Sequence, residues 1–302
     1  MTGALHVAAP GPLTLLEDLG RPGHAAIGVT GSGALDRGAL RLVNRLVGNE
    51  EGAAGLEILF GGFVARFSGP CWFAVGGAWG TVTLDGVGVD ANVATFAPDG
   101  SELHIGSAEH GIRFVLAVRG GFDAPAVLGS RSRDILAGLG PDQVTQGSVL
   151  PIGAEPHTAV PLLDFVPVPA PDDEVVTVRA GRGPRADWFT PAAVDVFFER
   201  PWSVSVASNR VGTRLETVRG PAHVAGRAPE PEIVLERAVT RELPSEPMVA
   251  GAVQVSPDGT PTVLLADHPV TGGYPVIAVV ADASLDAFAQ FRPGQHVLFR
   301  HA

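Results

Sequence analysis

Short runs in which apolar residues alternate with polar ones, or follow one another unbroken, occupy residues 2–8, 56–67, 71–76, 79–84, 102–106 and 112–119. Their length and their Val, Ile, Phe and Leu content predict β-strands. Gly61-Gly62, Gly76-Gly77, Asp85-Gly86 and Asp99-Gly100 supply turn signals, so this half of the chain reads as an antiparallel β unit. One segment changes period. In "DRGALRLVNRLVGN" the residues Ala39, Leu42, Val43, Leu46 and Val47 recur at helical spacing, Asp36 can cap the start and Gly48 can end it, which predicts a helix at about 36–47.

Prolines then recur at short intervals over residues 154–174, "AEPHTAVPLLDFVPVPAPDDE", a stretch that reads as a linker crossing the surface. The expected organisation is an N-terminal β-rich domain at 1–155, a Pro-rich linker at 156–173 and a C-terminal domain at 174–302. In the second domain the pattern predicts a strand at 175–180 and a helix capped by Thr190 with Pro191 in its first turn. Further strands are expected near 203–206, 251–255, 262–266 and 275–281, and a last helix follows Ser284 and stops before Pro293-Gly294. The Pro257-Asp258-Gly259 turn would pair strands 251–255 and 262–266. The fold class is mainly β, two β-rich domains with a few short helices.

Composition narrows the chemistry. The 302 residues include 39 glycines and 26 prolines, which suits a turn-rich β protein. A net charge of −11 repels phosphate backbones and anionic membrane surfaces, so nucleic acid is not an expected partner. No apolar run of about 18 residues is present, and the first residues lack a basic region followed by a hydrophobic core, so neither a membrane span nor a leader is expected. The single cysteine, Cys71, allows no internal disulfide, and the expected compartment is the cytoplasm. The chain contains no lysine. A Schiff base, a phosphate-loop lysine and a Ser-x-x-Lys nucleophile are therefore excluded.

Polar residues gather in four loops. "EDLGRPGHAAIGVTGSGALD" carries Glu17, Asp18, Arg21, Ser32 and Asp36 among glycines that let backbone N–H groups approach a ligand. "LGSRSRD" places Arg131 and Arg133 around Ser132, with Asp134 following; arginine offers a planar fork to a carboxylate or amide oxygen. "SNRVGTRLE" brings Asn209, Arg210 and Arg214 around Gly212. The fourth loop joins Gln254 to "ADHPVTGGYP", with Asp267, His268, Thr271 and Tyr274, the only tyrosine in the chain. Neighbouring strand residues point to opposite faces, so Asp267 and His268 are not expected to form a direct dyad. The nine histidines show no metal-ligand spacing, and no metal site is expected. The residues alone give a two-domain β protein with polar glycine-rich loops, and no reaction.

"EDLGRPG", "GVTGSGALDRGALRLVNRLVGN", "LEILFGG", "VRGGFDAPAVLGSRSRD", "SNRVGTRL", "GAVQVSPDG" and "LLADHPVTGGYP" occur in this order along nearly the whole chain. Together they resemble the biotin-dependent carboxyltransferase family variously called allophanate hydrolase subunit 2, KipA or the 5-oxoprolinase C subunit. The family's usual Pro-Gly-Ala-(Ile/Val)-Gln is Ala250-Gly251-Ala252-Val253-Gln254 here, and Val270 stands where it often has threonine.

The resemblance implies a cyclophilin-like β-barrel fold, placed at 174–302, and a partner like the KipI-type B subunit, also called allophanate hydrolase subunit 1. It implies one component of an enzyme that works on an amide, lactam or urea-type substrate. One form is ATP-dependent opening of 5-oxoproline to glutamate together with the 5-oxoprolinase A subunit; the other is the carboxyltransferase unit of urea carboxylase, fed by a biotin carboxylase and a biotin carrier. ATP and carboxybiotin would reach the chain through the complex, with no cofactor bound covalently. On this reading Arg131, Arg210, Asp267 and Tyr274 are the expected catalytic residues. Ser32, Asp36, Asp134, Asn209, Gln254 and Thr271 are the expected substrate-binding residues. A competing reading is a regulatory KipA-type protein that binds and antagonises a KipI-like kinase inhibitor.

Overall fold

The computed structural model describes residues 3–162, 166–171, 174–218 and 233–302. Contacts divide the chain into two compact units, Met1–Ile27 with Gly31–Pro171 and Gly28–Thr30 with Asp172–Ala302. The architecture is mainly β. No described helix is long and apolar enough to cross a membrane.

The described strands of the first unit are β1 (Ala4–Pro10), β2 (Leu13–Glu17), β3 (Gly55–Leu59), β4 (Gly61–Ser68), β5 (Cys71–Leu84), β6 (Val87–Gly88), β7 (Thr95–Ala97), β8 (Glu102–Val118) and β9 (Val149–Pro151). They form one sheet in the order β2-β3-β8-β4-β1-β9, with β5 pairing β6, β7 and β8. The apolar run 56–67, expected as one strand, is two strands. Phe60 at φ 59° interrupts the run, and β3 and β4 pair antiparallel with successive stretches of the same strand, β8, with Leu59 opposite Arg113 and Gly61 opposite Ser107. The converse holds at 71–84 and 102–118, where pairs of expected strands are single ones. The glycine step at Gly76-Gly77 is absorbed as an irregularity in the β5–β8 register between Gly77 and Trp79, not as a turn. The core under this sheet holds Phe63, Phe67, Phe73 and Phe114.

Helix α1 (Arg37–Leu46) forms where the spacing predicted it, and Asp36 caps it by accepting from the Ala39 backbone N–H at 2.8 Å. Its Leu40, Val43 and Leu46 pack on Ala74, Val115 and Ala117 of β5 and β8. Burying three such side chains contributes roughly 1.5–3 kcal/mol each, so the helix is held by packing rather than by propensity.

The second unit contains β10 (Val175–Arg182), α2 (Pro191–Glu199), β11 (Pro201–Val204), β12 (Gly212–Thr217), β13 (Glu246–Pro247), β14 (Ala252–Val255), β15 (Pro261–Leu264), β16 (Thr271–Gly272), β17 (Val276–Val280), α3 (Asp282–Leu285) and β18 (His296–His301). Seven of these strands close a barrel in the order β10-β17-β14-β15-β12-β11-β18, and β13 with β16 forms a separate two-stranded ribbon. Strands β14 and β15 pair about the Pro-Asp-Gly turn, with Val253 opposite Val263. Thr190 caps α2 through Ala193 N–H at 3.2 Å. Phe197 of α2 stacks on Phe299 at 4.5 Å, and Trp202 Nε1 donates to the Phe197 carbonyl at 3.1 Å. The final helix begins earlier than expected: Ser284 lies inside α3, its hydroxyl accepting from Arg179 N–H, and a 3-10 turn at Asp286–Ala289 follows.

Candidate active site

In the first unit, two of the polar loops meet through Asp18. Its Oδ1 accepts from the Gly20 N–H at 2.7 Å and from the Ser130 and Ser132 hydroxyls, each at 2.6 Å; its Oδ2 accepts from the Arg131 N–H at 2.6 Å. Ser132 Oγ in turn accepts from the Asp18 N–H at 2.9 Å. Arg21, 1% exposed, donates to the Ser132 and Val127 carbonyls. The glycines of this loop are explained by backbone contact within it. A Cβ on Gly20 would lie 2.4 Å from the Gly31 carbonyl oxygen, and one on Gly33 would lie 2.9 Å from the Gly20 nitrogen.

The expected site residues of this unit are placed around that knot. Asp36 commits Oδ1 to the helix cap. Asp134 is buried, and its Oδ1 accepts from the Leu136 and Ala137 N–H groups at 2.9 and 2.8 Å, closing the turn that follows. Ser32 is half-buried at φ 51°, its hydroxyl 3.4 Å from the Arg133 carbonyl. Arg131 pairs through Nη2 with Asp123 at 3.1 Å, and the two side chains are 41% and 64% exposed. That pair is open to solvent and exchangeable.

In the second unit Arg210 and Asp267 engage each other in a closed fork. Nε lies 2.8 Å from Oδ2 and Nη2 lies 3.2 Å from Oδ1, and the side chains are 1% and 0% exposed. The backbone follows, with Asp267 N–H donating to the Arg210 carbonyl at 3.1 Å. This guanidinium faces inward, onto its carboxylate. Exposed Asn209 turns its carbonyl back onto the Val211 and Gly212 N–H groups at 2.8 and 3.3 Å, fixing the bend that precedes β12. His268 stands apart from Asp267, its Nδ1 2.8 Å from the Pro269 carbonyl.

Gln254, Thr271 and Tyr274 share one end of the barrel. Gln254 is buried on β14 and donates from Nε2 to the Tyr274 carbonyl at 3.3 Å and toward Met248 Sδ at 3.4 Å. A Cβ on Gly272 would lie 2.3 Å from Gln254 Nε2, so a larger residue there would make the glutamine side chain shift. Thr271 is exposed and pairs with Pro247 in the ribbon. Tyr274 is 46% exposed, and its hydroxyl makes no hydrogen bond among the described residues. The structure adds a pair that no local pattern singles out, Arg185 with Glu246 at this same end of the barrel. Among the described residues no group of three His, Cys, Asp or Glu side chains is placed to hold a metal ion. Cys71 is buried, and burial pushes its thiol up to about 11, a packed thiol rather than a nucleophile.

The sequence model of the family described as "Carboxyltransferase domain, subdomain A and B" matches residues 27–301, and the chain belongs to that family. Among individual proteins, the chain is 35% identical over 298 residues to the 5-oxoprolinase C subunit of Escherichia coli (strain K12), covering 98% of this chain and 90% of that one. The crystal structure of TTHA0988 superposes with a TM-score of 0.83 at 32% identity, over 99% of this chain and 56% of that chain. The urea amidolyase of K. lactis superposes with a TM-score of 0.85 at 28% identity, over 98% of this chain and 18% of that one. In the last two, the fold shared with this chain is one part of a longer polypeptide.

Proposed function

We propose that this chain is the C-type component of a multi-subunit cytoplasmic enzyme that opens 5-oxoproline to glutamate in an ATP-dependent reaction, working with a KipI-like B subunit and an A subunit. The observation that carries the reading is the likeness to a 5-oxoprolinase C subunit over 90% of that protein's own length.

The chemistry asked of the chain is modest. A lactam must be oriented and its carbonyl oxygen given a hydrogen bond as negative charge develops on it. Tyr274, with a solvent-facing hydroxyl, is the donor in this proposal, and Gln254 fixes its backbone. Arg131 would take a carboxylate by exchanging its exposed partner Asp123. In the first unit Asp36 and Asp134 shape the loops beside Ser32, the hydroxyl proposed there as a substrate contact; in the second, Asp267 acts through Arg210 by fixing it, Asn209 fixes the bend before β12, and Thr271 is the proposed substrate contact. In this proposal ATP is supplied through the complex; the chain, which contains no lysine, offers no phosphate-loop amine.

A second reading, carboxyl transfer, draws on the family description and on the urea amidolyase superposition. Carboxybiotin would then arrive tethered to another protein, since biotin is carried on a lysine that this chain lacks. Arg131 is again the group suited to its carboxylate. Co-expression with candidate A and B subunits, followed by an assay for ATP-dependent glutamate release from 5-oxoproline, tests the first reading. A complete complex that is inert on 5-oxoproline and active on urea would replace it with the second. A chain that binds the B subunit and supports neither reaction would point to regulation.

A further inference from the structure

The loop that carries Tyr274 runs from Gly272 in β16 to Val276 at the start of β17. Arg185, which precedes the turn leading into α2, reaches both flanks of it. Its backbone N–H donates to the Val276 carbonyl at 3.1 Å. Its guanidinium grips Glu246, with Nε 3.0 and 3.1 Å from the two carboxylate oxygens and Nη2 bonded to the same group. Glu246 in turn lies opposite Gly272 in the β13–β16 ribbon, and Met248 N–H, just beyond it, donates to the Val270 carbonyl at 2.9 Å.

The ribbon has only two register pairs, and two short strands alone do not hold together in water. It needs a tie. The Arg185 and Glu246 side chains are 36% and 24% exposed, so the pair adds little to global stability. What a two-point guanidinium–carboxylate fork supplies at such a position is direction. Gln254 holds the Tyr274 carbonyl from the barrel side, so the loop is tethered on three sides while the phenol is left facing solvent.

We infer that Arg185 and Glu246 are positioning residues that fix the Tyr274 loop, with Arg185 bracketing the tyrosine from both sides. The inference rests on the reading of Tyr274 as the substrate-facing donor, and the test separates the two. Because Tyr274 is the only tyrosine, protein labelled with 13C at tyrosine Cζ gives one signal that reports this phenol directly. In the full chain, Glu246→Gln and Arg185→Met each shift and broaden that signal, and the reversed pair Arg185→Glu with Glu246→Arg restores it. In the assembled complex the same single variants lower kcat by roughly ten- to a hundredfold, the scale of a small misplacement of a reacting group, and leave KM within about threefold; the reversed pair recovers kcat. An unchanged tyrosine signal in both single variants overturns the tether. A signal that moves while Tyr274→Phe leaves turnover unchanged overturns the catalytic purpose of the tether and removes Tyr274 from the chemistry.

Discussion

Replacing Asp267 by alanine removes both oxygens that Arg210 chelates and leaves a guanidinium that is 1% exposed without that carboxylate. Solvent cannot substitute for the lost acceptor at this depth, and breaking a buried pair from one side costs about 3–5 kcal/mol. With a urea dependence of about 2 kcal/mol per molar for a unit of this size, the midpoint for the barrel unit should fall by roughly 2 M. Arg210→Met should cost a similar amount by removing the guanidinium fork from the buried carboxylate. The double replacement Arg210→Met with Asp267→Leu removes both charges together, and apolar groups of similar volume commonly restore or exceed the starting stability. The assay is urea unfolding of all four proteins followed by tryptophan fluorescence, since Trp188 and Trp202 are both buried in this unit. Single variants that lose less than about 1 kcal/mol, as exposed ion pairs do, would refute the argument. So would a double variant that loses the sum of the two.

Three further outcomes follow from the geometry. Tyr274→Phe, which deletes one exposed hydroxyl, should leave unfolding unchanged and lower kcat of the assembled complex by about 10²-fold, the usual range for one donor to a developing oxyanion. Asp18→Ala strands the Ser130 and Ser132 hydroxyls and the Arg131 N–H in the first unit, and a loss of more than about 3 kcal/mol is expected at roughly 1–3 kcal/mol per buried orphan; hydrogen exchange at the Arg131 amide should accelerate in parallel. Cys71 is protonated in the folded chain up to about pH 11, above its ordinary 9.0. The raised value means its contribution to stability is whole below pH 9.0 and declines as pH rises toward 11; alkylation by iodoacetamide at pH 8 should be slow until denaturant is added.

Local signals in the sequence carried helix α1 and the β14–β15 hairpin, because each is decided within a dozen residues by a cap, a period or a turn. The barrel seam was not readable in that way. Strand β18 follows a Pro-Gly step with charged and imidazole groups at its ends, and its parallel partner β10 lies more than a hundred residues earlier. The polar loops were found, yet their internal pairing was hidden for the same reason. Asp18 meets Ser132 across 114 residues, Arg210 meets Asp267 across 57 and Arg185 meets Glu246 across 61. A string of residues shows which groups are polar and loop-borne; only the topology decides which of them neutralise one another and which, like the Tyr274 phenol, are left facing outward.

The seam between β10 and β18 also governs how the barrel is made. Every other neighbouring pair in the barrel is antiparallel, and this one joins the first strand of the ring to the last. Until His296–His301 arrives, β10 and β11 both present unpaired N–H and C=O rows, a template for pairing with another chain. Closing a ring across so long a stretch is slow. The nascent barrel therefore has an adhesive interval, and deletions that shave the final strand should appear as aggregation during expression rather than as a soluble, weakened protein.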